Sequence, residues 1–201
     1  MRVSPRTKEA TRESLLAAAA DEFGRIGLER ANIDAISVRA GYAKGTVYNY
    51  FASKEDLFLA VVERASRDAV ASARQPSDAP PRDRVVLALE AFCGWVRDHD
   101  SFARVFVREC LMGTPSLYPR VIPAEQPLVE ALGSIFKALP PAERVRPDVP
   151  SDVLALALAG LTDLALAQHW ASGGTKPTLA EIPGLVATLL LGPQPQSRGT
   201  S

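Results

Sequence analysis

The sequence is poor in the residues that build disulfides and metal centres. It contains two cysteines, Cys93 and Cys110, and two histidines, His99 and His169, in 201 residues. Both cysteines stand in apolar, helix-like stretches, so we expect buried thiols in a reducing compartment, with a disulfide as the alternative. The histidines are far apart in the chain and offer little for a zinc site. We therefore expect no metal site, and no motif indicates a cofactor.

Net charge and long apolar runs are lacking as well. Lys plus Arg and Asp plus Glu both number 23, which argues against a general nucleic-acid coat or a basic membrane-surface protein. The longest apolar run, residues 153–167, contains Thr162 and Asp163 and is shorter than the ~20 residues that span a membrane. The N-terminus has no apolar signal-peptide core. These features predict a soluble, cytoplasmic protein with no membrane partner.

Signatures of common enzyme classes are also missing. The sequence contains no G-x-S-x-G, H-E-x-x-H, phosphate-binding P-loop or G-x-G-x-x-G motif. Residues Ser134–Lys137 (SIFK) fit S-x-x-K, but the motifs that accompany it in enzymes are absent. We therefore expect no catalytic residue and no enzyme.

What the sequence does contain is helical periodicity along most of its length. Leu15, Ala19 and Phe23 belong to one apolar stripe of a first helix, which Gly27 is placed to end. No convincing strand is found, so we predict an all-α fold of about nine helices. The tail, residues 193–201, is predicted to be disordered. The helices are expected at about residues 8–26, 33–40, 43–50, 53–74, 84–98, 101–112, 127–139, 151–170 and 183–191.

The second and third predicted helices are short and are joined across a glycine turn. Asn32 is placed to cap the second helix and Gly41 to end it. Val47 and Phe51, four residues apart, are expected to anchor the third helix in the core, because one helix face carries both. Two short helices across such a turn form a helix-turn-helix. Ser53 then begins a fourth helix with a capping box.

These residues carry a resemblance to a known family. The strings AAAADEFGRIGLE (17–29) and GTVYNYFASKEDL (45–57) resemble the N-terminal domain of the tetracycline-repressor (TetR/AcrR) regulators. The resemblance implies a three-helix DNA-binding domain, residues 1–52, followed by a helical ligand-binding and dimerisation domain, residues 53–192. It implies a homodimeric repressor that binds a palindromic operator in double-stranded DNA and is released by a small, hydrophobic ligand. A transcriptional activator of the same fold, or a helical interaction protein without DNA binding, is the alternative.

The expected DNA contacts centre on the start of the third helix, the end that enters the major groove in helix-turn-helix proteins. Lys44 can donate to guanine, Gly45 allows close backbone approach, and Thr46 can meet a phosphate or a thymine methyl group. The resemblance adds backbone contacts, which set register rather than sequence. Core packing for Tyr50, a solvated Lys54 and a local cap by Thr46 are the alternatives. The predicted set is Asn32, Lys44, Gly45, Thr46, Tyr48, Asn49, Tyr50 and Lys54.

The turn departs from the family pattern at two positions. Tyr42 stands where the family usually has Val, and Ala43 where it has Ser. Tyr42 is either a packing change or an added DNA contact. Ala43 removes a hydroxyl group that could cap the third helix or touch phosphate.

The resemblance also places a ligand pocket in the helical body and a dimer interface on the last two helices. Plain core packing is the alternative for both sets. His99, Arg104, Arg108 and Asp163 are polar residues that could orient a ligand, lie at the surface or form salt bridges in the helical bundle. The predicted pocket residues are Phe92, Trp95, Phe102, Phe106, Met112, Tyr118 and Phe136. The predicted interface residues are Leu154, Leu158, Leu161, Ala165, Leu185 and Leu189.

Overall fold

The computed structural model describes residues 5–73, 78–113, 115–140 and 148–192. These residues form nine α-helices and no strand, which confirms the all-α class. The predicted disordered tail, residues 193–201, lies outside the described residues. The helices are α1 Pro5–Arg30, α2 Ile33–Ala40, α3 Lys44–Tyr50, α4 Lys54–Ala73, α5 Pro81–Asp98, α6 Asp100–Met112, α7 Tyr118–Ala138, α8 Ser151–Ala171 and α9 Ile182–Leu191.

The helices divide into two compact units. The first unit comprises residues 1–68 and 98–125, and the second comprises residues 69–97 and 126–201. The first unit therefore extends past the expected domain boundary after residue 52, because parts of α4, α6 and α7 share a core with α1–α3. The division into a DNA-binding domain and a ligand-binding domain at residue 52 stays a prediction.

The core of the first unit holds the helix-turn-helix in place. Phe23 of α1 meets Phe58 of α4 edge to face, with ring centroids 5.1 Å apart. Val47 and Phe51 are buried in the same core, together with Val105 of α6. Aromatic and aliphatic side chains of this size each contribute about 1.5–3 kcal/mol when they leave water. The seven residues of α3, too few for an independent helix, thus depend on this core.

Gly27, predicted to end the first helix, breaks its regular geometry, but helical residues resume after it and α1 continues to Arg30. Its backbone has φ 78° and ψ 167°, a conformation that essentially only glycine adopts. The change of direction ends the regular hydrogen-bond ladder, so the last carbonyl groups before the break need other donors. Arg108 of α6 supplies them. Its guanidinium donates from Nη1 to the carbonyl of Phe23 at 3.1 Å and from Nη2 to that of Gly24 at 3.0 Å.

The prediction for α7 was wrong at its start. The helix was expected from Pro127, but it begins at Tyr118 and passes through Pro123 and Pro127. Each proline removes one backbone N–H from the ladder. Val121 is buried in the first unit and Leu128 in the second. Apolar side chains are therefore buried on both sides of the two prolines.

α8 is longer than the apolar run suggested. By length and composition alone, this 21-residue helix would be able to cross a membrane, which corrects the expectation that the run falls short. One third of its apolar window is buried inside the protein. Leu158, Thr162 and Leu166 lie in the core of the second unit, with α9 packed alongside. α8 therefore has a buried side and an exposed side.

Candidate DNA interface and effector cavity

The turn between α2 and α3 is fixed by local hydrogen bonds. The side-chain oxygen of Asn32 accepts from the backbone N–H of Asp34 at 2.8 Å, which caps α2 as predicted. Gly41 ends α2 in the left-handed conformation, with φ 78° and ψ 25°. The N–H of Tyr42 then donates to the carbonyl of Ser37 at 2.9 Å, closing the helix end. The direction of the chain into α3 is thereby determined.

α3 is anchored on one side and open on the other. Val47 and Phe51 are buried, which confirms the predicted anchors, and the guanidinium of Arg12 lies 5.7 Å from the centre of the Phe51 ring. Tyr50 is half-buried against the same core. Part of its side chain therefore packs in the core, which was the alternative to a DNA contact. Thr46 is half-buried as well. The exposed side chains or positions of α3 are Lys44, Gly45, Tyr48 and Asn49.

Packing within the chain does not require a glycine at position 45. A β-carbon built at this position would have no atom within 4 Å apart from its chain neighbours and the backbone of its own helix. A glycine inside a helix lowers stability by about 0.5–1 kcal/mol relative to alanine. A side chain at this position would therefore make the isolated protomer more stable. The residue therefore suits the close approach of a molecule outside the chain.

Two lysines of the predicted set already have partners. The Lys44 ammonium lies 3.0 Å from Oδ1 and 3.1 Å from Oδ2 of Asp34 in α2. This hydrogen bond, reinforced by the charge of Asp34, raises the pKa of Lys44 above its usual value. The Lys54 ammonium donates to the carbonyls of Glu29 and Ala31 at 3.2 and 3.3 Å, where it caps the end of α1. A phosphate contact by Lys54 remains a prediction.

Tyr42 packs inward, which favours the first of its two predicted roles. Its ring is half-buried against the first-unit core, and its hydroxyl group donates to Oγ1 of Thr11 at 3.3 Å. Ala43 is the N-cap of α3 and makes no side-chain capping bond. The departure from the family pattern in the turn is thus a packing change together with a lost cap.

The start of α4 is tied to α7. Ser53 accepts from the N–H of Asp56 at 3.0 Å, as the predicted capping box requires, and its hydroxyl donates back to Oδ2 of Asp56. Arg120 donates to Oδ1 of the same carboxylate at 2.7 Å. These bonds, that of Arg120 first, hold the pKa of Asp56 below its usual value. The helix that follows the helix-turn-helix is therefore linked to α7 through a charged contact.

The second unit contains an apolar cavity between α5, α7 and α8. Its volume is about 30 Å³, well below the roughly 300–1,000 Å³ of typical ligand sites, so a ligand would have to displace side chains. Phe92 lines it, and Trp95 stacks on Phe92 with centroids 5.5 Å apart. The lining residues are Ala73, Ala88, Leu89, Phe92, Leu128, Leu132, Leu158, Ala159, Thr162 and Asp163.

The other predicted pocket residues do not line this cavity. Phe102 and Phe106 pack within the first unit, and Phe136 is buried in the second. Met112 is 81% exposed, and the side chain of Tyr118 lies outside the described part of the structure. Aromatic residues on successive helices share a sequence pattern, but the pattern does not show which core each one enters.

The exposed surface of α8 and α9 differs in part from the predicted interface. Leu154 and Leu158 are buried in the protomer's own core, and Leu161 and Ala165 are half-buried. Leu185 and Leu189 of α9 are each more than half exposed, as an interface requires. The sequence missed Leu156 and Leu164, which are 62% and 60% exposed. Because α8 is apolar on every side, periodicity could not distinguish its two faces.

Among the described residues, no cluster of three His, Cys, Asp or Glu side chains could hold a metal ion. Cys93 is buried, and this burial raises the pKa of its thiol to about 12, so the thiol is protonated at neutral pH.

Comparison with known proteins shows which regulators this chain resembles. The family model described as bacterial regulatory proteins, tetR family, matches residues 15–61. The transcriptional repressor AcnR of Corynebacterium diphtheriae is 28% identical over 185 residues, which cover 92% of this chain and 93% of that protein. The transcriptional activator FasR of Mycolicibacterium smegmatis is 36% identical over 96 residues, which cover 47% of this chain and only 43% of that protein. The crystal structure of a TetR-like regulator from Rhodococcus sp. RHA1 superimposes with a TM-score of 0.69 at 26% identity, covering 94% of this chain and 96% of that one.

The helix-turn-helix, the all-helical body and these similarities define the class of protein. It is a DNA-binding transcriptional regulator and not an enzyme. More specifically, its residues 15–61 match the family model of the tetR family of bacterial regulatory proteins.

Proposed function

We propose that the protein is a cytoplasmic, homodimeric repressor that binds a palindromic operator and is released by a small hydrophobic ligand. The observation that carries this proposal is the presentation of α3. Val47 and Phe51 hold the helix in the core, while Lys44, Gly45 and Tyr48 face outward at and after its N-terminal end. This end is the one that reads bases when a recognition helix enters the major groove.

Dimerisation supplies the second recognition helix that a palindrome requires. A single short helix gives a weak grip, whereas two helices on a twofold axis read two half-sites at a fixed spacing. Five of the eleven exposed large apolar side chains among the described residues belong to α8 and α9. Val153, Leu156 and Leu164 lie three and eight residues apart, on one face of α8. Apolar clusters of this kind mark interaction surfaces, and the same face of a second copy would cover them.

The cavity of the second unit is the proposed effector site. Its lining is almost entirely aliphatic and aromatic, with Thr162 and Asp163 as the polar members. The Thr162 hydroxyl donates to the carbonyl of Leu158 at 2.7 Å, so its donor is already used. These features favour a hydrophobic compound. A ligand that binds better to one arrangement of the two DNA-binding heads shifts the population toward that arrangement and changes DNA affinity.

Repression is favoured over activation by the extent of the similarities. The relative named as a repressor, AcnR, matches along 93% of its length, whereas the relative named as an activator, FasR, matches along 43%. A transcriptional activator of the same fold is the second candidate.

Substitutions in α3 test the DNA-binding proposal. We expect Lys44→Ala and Tyr48→Ala each to weaken operator binding about tenfold or more, since a single directed contact is worth about 1–3 kcal/mol. Gly45→Ala should weaken binding by steric exclusion while leaving the protein at least as stable as the wild type, because its methyl group enters open space. Affinities would be measured by gel shift, and stability by thermal unfolding.

Lys137→Ala on α7 is the matched control, since it also removes one positive charge from an exposed site. The probe is a duplex selected from a random library by the wild-type protein. Operator binding that is unchanged in both Lys44→Ala and Tyr48→Ala would exclude α3 as the reading helix.

Ligand release is tested with the same complex. In a thermal-shift screen of hydrophobic compounds, an effector is expected to raise the Tm of the free protein and to weaken the operator complex. Leu132→Trp should fill the cavity and abolish both effects. Compounds that stabilise the Leu132→Trp variant as much as the wild type would place the effector site elsewhere.

A further inference from the structure

The contact between Asp34 and Lys44 has a role that the DNA-binding proposal leaves open. Asp34 lies in the first turn of α2, and Lys44 is the first residue of α3. The two side chains are 57% and 52% exposed. An exposed ion pair of this kind contributes about 0–1 kcal/mol to folding. The ion pair itself therefore gives little reason, in folding stability, for a carboxylate beside the proposed DNA-reading end of α3.

The contact with Asp34 limits how many N–H donors of Lys44 remain for DNA. Both carboxylate oxygens lie within 3.1 Å of the Lys44 ammonium. An ammonium group has three N–H donors, so one donor remains when each oxygen accepts one. The Asn32 cap fixes the backbone of Asp34, at 2.8 Å, so the carboxylate is held on a rigid helix start. The remaining donor of Lys44 therefore has a defined direction.

Two further cations near the helix-turn-helix also have acceptors within the first unit. Arg39 lies 3.6 Å from the carboxylate of Asp21, and Lys54 is bound to α1 carbonyls. Non-specific DNA binding comes from cations that neutralise phosphates, whereas specificity comes from directed contacts to base edges. A paired lysine at the start of the recognition helix contributes little to non-specific phosphate binding. It is oriented for a directed contact with a base edge.

We propose that Asp34 is a specificity-determining positioning residue, which holds the Lys44 ammonium away from phosphates and directs it toward a base edge. The carboxylate lowers affinity for DNA of any sequence and preserves affinity for the operator. The proposal rests on the proposed DNA-binding role of Lys44. Asp34 acts through Lys44, so its effect depends on that lysine.

The test measures operator and scrambled-duplex affinity for Asp34→Asn over a series of salt concentrations. We expect affinity for the scrambled duplex to rise about fivefold at low salt, the effect of one unit charge at about 4 Å in water. The slope of log K against log salt should steepen by about 0.9 per protomer, because one more phosphate contact forms. Operator affinity should change less, so the ratio of the two affinities falls.

Three further variants separate the possible causes. Glu63→Gln removes one exposed negative charge from α4 and is expected to leave the ratio unchanged. Lys44→Gln, alone and combined with Asp34→Asn, shows whether the aspartate acts through the lysine. We expect Asp34→Asn to have no effect on the ratio or the slope in the Lys44→Gln background.

An equal effect of Asp34→Asn in both backgrounds would overturn the proposal, because the carboxylate would then act by general repulsion. An unchanged affinity ratio and salt slope, with only a lower Tm, would overturn it too and leave Asp34 as a helix-stabilising residue. If the wild-type protein does not distinguish its selected duplex from the scrambled one, the proposed function itself fails.

Discussion

Replacing both Leu156 and Leu164 by glutamate is expected to convert the protein into a monomer and to lower operator affinity about a hundredfold or more. Each side chain is about 60% exposed in the protomer, so glutamate leaves the protomer's own core intact. In the dimer, the same positions would bury four unpaired carboxylates, which is strongly unfavourable. A monomer retains one recognition helix and loses most of the 10³–10⁷-fold preference that separates specific from non-specific binding.

Light scattering coupled to size exclusion would give the molar mass, and gel shift would give the operator affinity. Ile122→Glu on α7 is a suitable control, because it replaces a half-exposed apolar residue outside α8 and α9. Circular dichroism should show the same helix content in all variants. If the double variant stays dimeric, the pairing surface does not include the exposed face of α8.

Gly27→Ala is expected to lower the free energy of unfolding by about 1–3 kcal/mol, the cost of the Gly-only backbone region for a residue with a side chain. The β-carbon would also lie 3.1 Å from Nη1 of Arg108, which donates to the carbonyls before the break. In a chain of this size, each kcal/mol lowers the Tm by roughly 2–4 °C. Because the break lies in the helix that packs on α2, we also expect weaker operator binding.

Gly94→Ala in α5 is the matched comparison. A β-carbon there would meet only the end of the Arg97 side chain at 3.9 Å, and the backbone is not in the left-handed region. This variant should be as stable as the wild type or slightly more stable, since alanine favours a helix. Equal Tm values for Gly27→Ala and Gly94→Ala would show that the break in α1 costs nothing to remove.

The helix-turn-helix could be predicted closely because its signals are local. The Asn32 cap, the left-handed Gly41 and the anchors Val47 and Phe51 depend on residues within four positions of one another. Side-chain capping and helical periodicity act over this same distance, so the sequence shows them directly. The family resemblance rests on the same stretch, and the family match includes it.

The site around that helix was predictable only in part. Lys44 and Tyr48 were recognised as exposed candidates, but the partner of Lys44 stands ten residues away, in another helix. Lys54 bonds to carbonyls more than twenty residues before it. Contacts with groups distant in the chain produce no periodic pattern in the sequence, so they cannot be predicted from it.

The sequence by itself determined the helical class, the caps and turns of the DNA-binding head, and the residues that anchor α3. Only the tertiary structure decided which side of α8 is exposed, which aromatic residue lines a cavity, and that α7 continues through two prolines. It also placed Arg108 on the break at Gly27. The physical reason is that an apolar helix, a row of aromatic residues or an unbonded carbonyl can be satisfied in several ways. Packing against residues distant in the chain selects one of them.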